Sequence, residues 1–179
     1  MAGYIIRPAE VRDQSRLAEV KGEYIRAVYR GFISREILDR VDTEFCTPEF
    51  AEWFADDRYR IDVMEHEGRV EGYIVYGPDL DAPGYALIAD ARTVHPGDAE
   101  RKRILIENTL SELSKMGYSD VHMWLVHDNF RIRFLFESVG FRRDGEEKMG
   151  IRTGQEMHIV RYLYHIGPRN EKPYDPYEE

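Results

Sequence analysis

The sequence predicts an α+β fold in which a mixed central sheet carries helices on both faces. Three observations predict it. Residues 85–94 form an apolar run rich in Leu, Ile, Ala and Val that ends at His95-Pro96-Gly97, and Asp120 to His127 forms a second run. Between them Ile106, Leu110 and Leu113 recur at i, i+4 and i+7, so a helix is expected from about Asp98 to Met116, stopped by Gly117. Two strands joined through a helix are parallel, and such a βαβ unit holds ligands beyond the carboxyl ends of its strands. Third, Tyr59–Glu65 and Val70–Tyr76 alternate around the turn Glu67-Gly68-Arg69, which predicts an antiparallel hairpin beside that unit. The sheet is expected to splay where the two parallel strands end, near Val94 and Asp128.

The remaining elements follow in order. Tyr4 to Arg7 reads as a short first strand ended by Pro8. Asp13 is the expected cap of a helix over Gln14–Tyr29, which carries Leu17, Val20, Tyr24 and Val28 and stops at Gly31. Ser34 caps a second helix with Ile37, Leu38 and Val41. Thr47-Pro48 is expected to open a third, with Phe50, Trp53 and Phe54. A short helix begins near Asn129 and ends in Val139-Gly140. Arg142 to Gln155 reads as a polar connection containing a turn or hairpin tip, and Glu156 to His165 as the last strand. One domain is expected over residues 1–166, with 167–179 as a flexible acidic tail.

The chain has 179 residues, 34 acidic against 25 basic, and a net charge of −9. That balance opposes general nucleic-acid binding. No apolar run approaches the length of a membrane span, and the N-terminus lacks the stretch of a signal peptide. The lone cysteine, Cys46, excludes an internal disulfide and fits a cytoplasmic location. The acidic surface would steer cationic amines. No histidine pair has metal-binding helical spacing, and His122 and His127 fall on opposite strand faces, so no metal is expected.

Three stretches carry a family likeness: Tyr29-Arg30-Gly31-Phe32-Ile33-Ser34, Val94-x-Pro96 before a helix, and Asn129 to Phe141 with its Phe-Glu-Ser-Val-Gly-Phe ending. Over roughly residues 4–165 the sequence resembles the GNAT superfamily of acyl-CoA-dependent N-acyltransferases. The resemblance implies an enzyme that moves an acetyl group from acetyl-CoA to a small-molecule or peptide amine by direct attack on the thioester, without a covalent intermediate. It implies a cofactor site at Val94, Gly97, Arg101, Lys102, Arg103, Ile104 and Asn129, and leaves a homodimer open. Two departures stand out. Lys102 and Ile104 occupy positions that are small residues in the family's phosphate-binding loop, and Phe136 stands where the family has a tyrosine that acts as general acid.

Each candidate carries two readings. Arg101, Lys102 and Arg103 could neutralise phosphates directly, or form a solvated first turn that binds nothing. Asn129 could touch the cofactor, cap the following helix, or both. Asp90, a carboxylate inside an apolar strand, is a possible general base; alternatively it pairs with Arg92, which shares its strand face, or with an arginine on a neighbouring strand. Phe136 has no proton to give, so the acid is sought among Tyr24, Tyr29, Tyr85, His95, His122 and His127, of which the tyrosines are also candidate substrate contacts. The altered loop and Phe136 together favour a rival reading: a ligand-sensing or binding module that keeps the fold without turnover.

Overall fold

A computed structural model describes residues 3–167; the expected acidic tail lies outside the described residues from 168 onward. The elements are β1 (Ile5–Pro8), α1 (Gln14–Val28), α2 (Arg35–Arg40), α3 (Thr43–Ala55), β2 (Arg60–His66), β3 (Arg69–Pro78), β4 (Ala86–Thr93), α4 (Ala99–Lys115), β5 (Asp120–Val126), α5 (Phe130–Val139), β6 (Arg142–Arg152) and β7 (Gln155–His165). The strands form one sheet in the order β1-β2-β3-β4-β5-β7-β6. No helix among the described residues is long and apolar enough to cross a membrane.

Among the described strands only β4 and β5 pair in parallel, and over three positions alone, from Ala86 opposite Val121 to Ile88 opposite Met123. Beyond Ile88 they part. The cause is local. Val75 faces Asp90 and Tyr76 faces Ile88, so Ala89 is an extra residue on β4 with no partner across the ladder. Such a bulge bends its strand and raises the twist. It also reverses the alternation: Ala91 joins the same core as Ile88, while Asp90 and Arg92 turn together toward α1.

Two cores cover the two faces. On one, Leu105, Ile106, Leu110 and Leu113 of α4 and Leu135 and Phe136 of α5 pack on Ile74, Ile88, Val121 and Met123. On the other, Leu17, Val20, Tyr24 and Ile25 of α1 and Phe50 of α3 pack on Ile61, Val63, Tyr73 and Val75. The β2–β3 hairpin turns through Glu67 and Gly68, both at positive φ (50° and 78°), the geometry of a tight two-residue turn.

Three local expectations are corrected. Asp13 does not cap α1: its carboxylate takes both terminal nitrogens of Arg7 (2.8 and 3.1 Å) and the Glu10 N–H (2.8 Å), a bidentate ion pair that outcompetes a cap. The third helix starts a turn before Thr47-Pro48, where the Asp42 carboxylate accepts the Phe45 N–H at 2.8 Å, and Pro48 lies inside it. A proline in the second turn gives up one backbone bond, which packing of Phe50 offsets. Finally, residues 142–152 are not a connection but β6, paired with β7 around a tip at Thr153-Gly154. It is an edge strand, largely exposed, so its sequence is polar and shows no apolar alternation.

Because Asp42 anchors the first turn of α3, Asp42→Ala is expected to lower unfolding free energy by about 1 kcal/mol, read by urea denaturation; an unchanged midpoint would place the cap elsewhere.

Candidate functional site

Three voids line up across the splay. A cleft of about 620 Å³ opens beside the carboxyl ends of β4 and β5, walled by Tyr24, Gly97, Lys102, Asn129 and Phe134 among others. A gap of about 30 Å³ lies in the splay, bordered by Tyr24, Tyr29, Ala89, Asp90, Arg92 and Asn129. Beyond it a cavity of about 130 Å³ is lined by Lys21, Cys46, Glu49, Asp90, Arg92 and Arg152. Tyr24 and Asn129 are shared by the first two, and Asp90, Arg92 and Arg152 by the last two. The divergence of β4 from β5 therefore leaves a row of openings through the sheet. A further groove of about 540 Å³ runs along β1 and β2, well away from the splay.

The inner wall of the row is ionic. Asp90 lies 3.0 Å from Arg92 and 3.1 Å from Lys21, accepts the Tyr73 hydroxyl at 2.7 Å and takes its neighbour's Ala91 N–H at 3.0 Å. Lys21 also bridges to Glu49. Burial alone would raise the Asp90 carboxyl; the charges of Arg92 and Lys21 and the Tyr73 hydrogen bond outweigh it and hold it well below the usual carboxylate range. A carboxylate held so low has little affinity for a proton, which suits the ion-pair reading of Asp90 rather than a base. Arg92 in turn stacks on Tyr24, 4.7 Å from the ring centre.

Lys102 shows what replaces the small residue. Its side chain is buried, with the Nζ 4.4 Å over the Tyr24 ring and 3.4 Å from the Tyr24 hydroxyl. No carboxylate among the described residues lies within 4.0 Å of it. Burial, with the Arg92 charge added and Asp90 opposing, pulls Lys102 down to about 7. Burial pushes Tyr24 up to about 12, with Arg92 opposing. The two polar ends that meet at the inner end of the cleft are thus a lysine that titrates near neutrality and a phenol that stays protonated.

The other candidates disperse. Arg101 pairs with Glu71 (2.7 Å) and Asp98 (2.8 Å) and lies over Tyr4; Arg103 donates to Ser138 on α5. The three consecutive basic residues therefore do not form one patch, and only Lys102 faces the cleft. Ile104 and Val94 pack against opposite cores. Gly97 borders the cleft with open space around it. Asn129 accepts the Ile132 N–H at 3.3 Å, a helix cap, while its side chain also borders cleft and gap. Phe136 is fully buried, edge-on to Phe141, so a hydroxyl there would enter the apolar core and not the cleft.

Tyr29 borders the gap, but Tyr85 stacks on His122 where β4 and β5 are still paired, and His122 bonds Asp79 at 2.7 Å. His127 sits beside Asp128 and stacks on His158; His95 is exposed after β4. None of these histidines lines the row of voids. Cys46 does, but burial pushes its thiol up to about 11, so it is no nucleophile at neutral pH. Lys21, Glu49 and Arg152 were not legible as site residues. Lys21 and Glu49 reach Asp90 only through tertiary packing, and Arg152 sits in the strand read as a connection.

A lysine whose proton is lost near 7 in the folded chain and near 10.5 in the unfolded one makes stability rise with pH across that window, because there the unfolded state holds the extra proton. Lys102→Met is expected to raise Tm at pH 7 by roughly 5 °C and to flatten the rise in stability between pH 7 and 10. Thermal scans of both proteins across that range check it, and an equal slope in the two would place the lysine's titration elsewhere.

No protein-family model matches the sequence, and no curated protein matches it. Solved structures do. A Desulfovibrio desulfuricans protein assigned to the GNAT acetyltransferase family superposes with a TM-score of 0.68 at 16% identity, covering 92% of this chain and 100% of that one. The PaiA N-acetyltransferase of Thermoplasma acidophilum, solved with coenzyme A, gives 0.70 at 15%, covering 90% and 99%. A ribosomal-protein-alanine N-acetyltransferase from Brucella melitensis gives 0.68 at 21%, covering 90% and 99%. Superposing on them over 90% or more of its length, this chain has the fold of the GNAT acetyltransferases.

Proposed function

We propose that the chain is an N-acyltransferase that passes an acetyl group from acetyl-CoA to an amine by direct attack. The observation that carries this reading is the row of three voids: a long cleft for a donor, a narrow gap for the reacting atoms, and a separate cavity for an acceptor. Donor and acceptor can then meet in the gap from its two ends, and holding them in line supplies much of the rate.

The residues at the inner end of the cleft fit a thioester donor. β4 past Ile88 is unpaired with β5, so its edge is available to an extended chain. Lys102 is buried, and no carboxylate among the described residues lies within 4.0 Å of it. Bound acetyl-CoA would supply the activated carbonyl. The protein would supply proton handling: formation of the C–N bond releases a proton from the amine, and the departing sulfur takes one up. Lys102 Nζ, titrating near neutrality, suits either transfer, and the Tyr24 hydroxyl beside it remains a donor. Asp90 and Arg92 serve as positioning residues that hold Tyr24 in place.

One observation favours the second reading, a binding module without turnover. The start of α4, where an anion would be expected, is taken by the chain's own Asp98, whose carboxylate accepts the Arg101 N–H at 3.1 Å. Fully buried Phe136 supplies no proton either.

Thiol release from acetyl-CoA with a broad amine panel separates the two. Turnover is expected, with Lys102→Met lowering kcat by about 10²–10⁴-fold and removing an inflection near pH 7, while acetyl-CoA affinity by calorimetry changes much less. Acetyl-CoA binding without thiol release from any amine, or no acetyl-CoA binding at all, would overturn acyl transfer and support the module.

A further inference from the structure

We infer that the acceptor cavity takes a free amino acid, with the substrate carboxylate on Arg152 and its amine directed into the splay. This rests on the acyl-transfer reading only for what happens to the amine; the binding itself does not depend on it.

The charge count of the cavity carries the inference. Its walls hold three cations, Lys21, Arg92 and Arg152, and two carboxylates, Glu49 and Asp90. Both carboxylates are already engaged: Lys21 bridges them and Arg92 pairs with Asp90. No carboxylate among the described residues approaches the Arg152 guanidinium within 4.0 Å; its Nη1 donates only to the neighbouring Ile151 carbonyl, at 3.1 Å. Arg92 adds a second sign of a missing acceptor, since its Nε is buried without a hydrogen-bond partner. A guanidinium in a partly desolvated wall is costly without an anion, and a carboxylate matches its fork of donors.

The setting is built. Arg152 stands at the tip of the β6–β7 hairpin, and the next strand begins with Gln155, whose Oε1 accepts the Ser34 N–H and whose Nε2 donates to the Phe32 carbonyl, both at 2.8 Å. The tip is thereby tied to the segment between α1 and α2, over the cavity. Arg152 and Arg92 also border the gap in the splay, so an anion on Arg152 lies close to the reacting position.

Size and field narrow the ligand. A cavity of about 130 Å³ admits a small head group and no peptide chain. A protein of net charge −9 repels free anions at long range but not a zwitterion. The steering of cationic amines expected from overall charge is thus opposed locally, because the two carboxylates that could receive a cation are taken.

Ligand-observed NMR and calorimetry on the full chain without acetyl-CoA test this, using a panel of free L-amino acids, their carboxamides and 1,3-diaminopropane. At least one small amino acid should bind, its carboxamide at least tenfold more weakly and the diamine not at all. Arg152→Gln should cut that affinity at least tenfold with Tm not lowered, and Arg152→Lys should recover part of it. Equal binding of acid and amide, preference for the diamine, an unaltered Arg152→Gln, or no binding across the panel would each overturn the inference. Amino-acid binding without thiol release would leave it standing while acyl transfer fails; thiol release with the diamine but no amino acid would do the reverse.

Discussion

After Ile88 the two central strands stop sharing hydrogen bonds, and the rest of the site depends on that separation. Unpaired backbone groups inside a protein must find partners, so an opening in the middle of a sheet is stable only if its edges are polar, wet or bound to something. Here the single extra residue, Ala89, produces both halves of the answer. It bends β4 away from β5, and it rotates Asp90 and Arg92 onto the α1 face, where Lys21, Tyr73 and Tyr24 receive them. The bend makes the gap, and the rotation lines it with fixed charge.

Charge pairing then decides which side chains are structural and which are left over. Asp90 is shared by two cations and a phenol, so it is spent on holding the wall. Lys102 and Arg152, at the two ends of the row, have no carboxylate among the described residues within 4.0 Å. They differ in kind. Lysine can shed its proton to relieve burial and so becomes a group that exchanges protons near neutral pH; arginine cannot, and so remains a demand for an anion. On the proposed reading, the same shortage of counter-charge would give a proton-transfer group on the donor side and a recognition group on the acceptor side.

Most of the fold was legible because its core elements are strongly periodic. The α4 stripe and the flanking strands stand out in the sequence, and the Asn129 cap lies where residue type and position place it. The edge strand β6 was hidden by its exposure, since a strand with water on it has no reason to alternate. The fate of the basic triplet follows from helix geometry: consecutive residues are rotated by about 100°, so Arg101, Lys102 and Arg103 cannot share a face. One signal could have been read. Lys102 stands four residues before Ile106, on the stripe that continues through Leu110 and Leu113, and a lysine on an apolar stripe points inward. Lys21 and Glu49 gave no such sign, because their meeting with Asp90 is long-range in sequence.

The same exposed edge has a consequence for self-association. Sheets fuse when two long, flat, uncharged borders meet. β6 offers Arg142, Arg143, Asp144, Glu146, Glu147, Lys148 and Arg152 along its length, with its pairing to β7 offset between Arg143 and Glu147. At the opposite border β1 is four residues long and ends in Pro8, which has no N–H to give. Both borders therefore disfavour extension by a second copy. Growth strand by strand, to which open sheets are otherwise prone, is thus opposed at both borders, by charge along β6 and by shortness and a proline at β1.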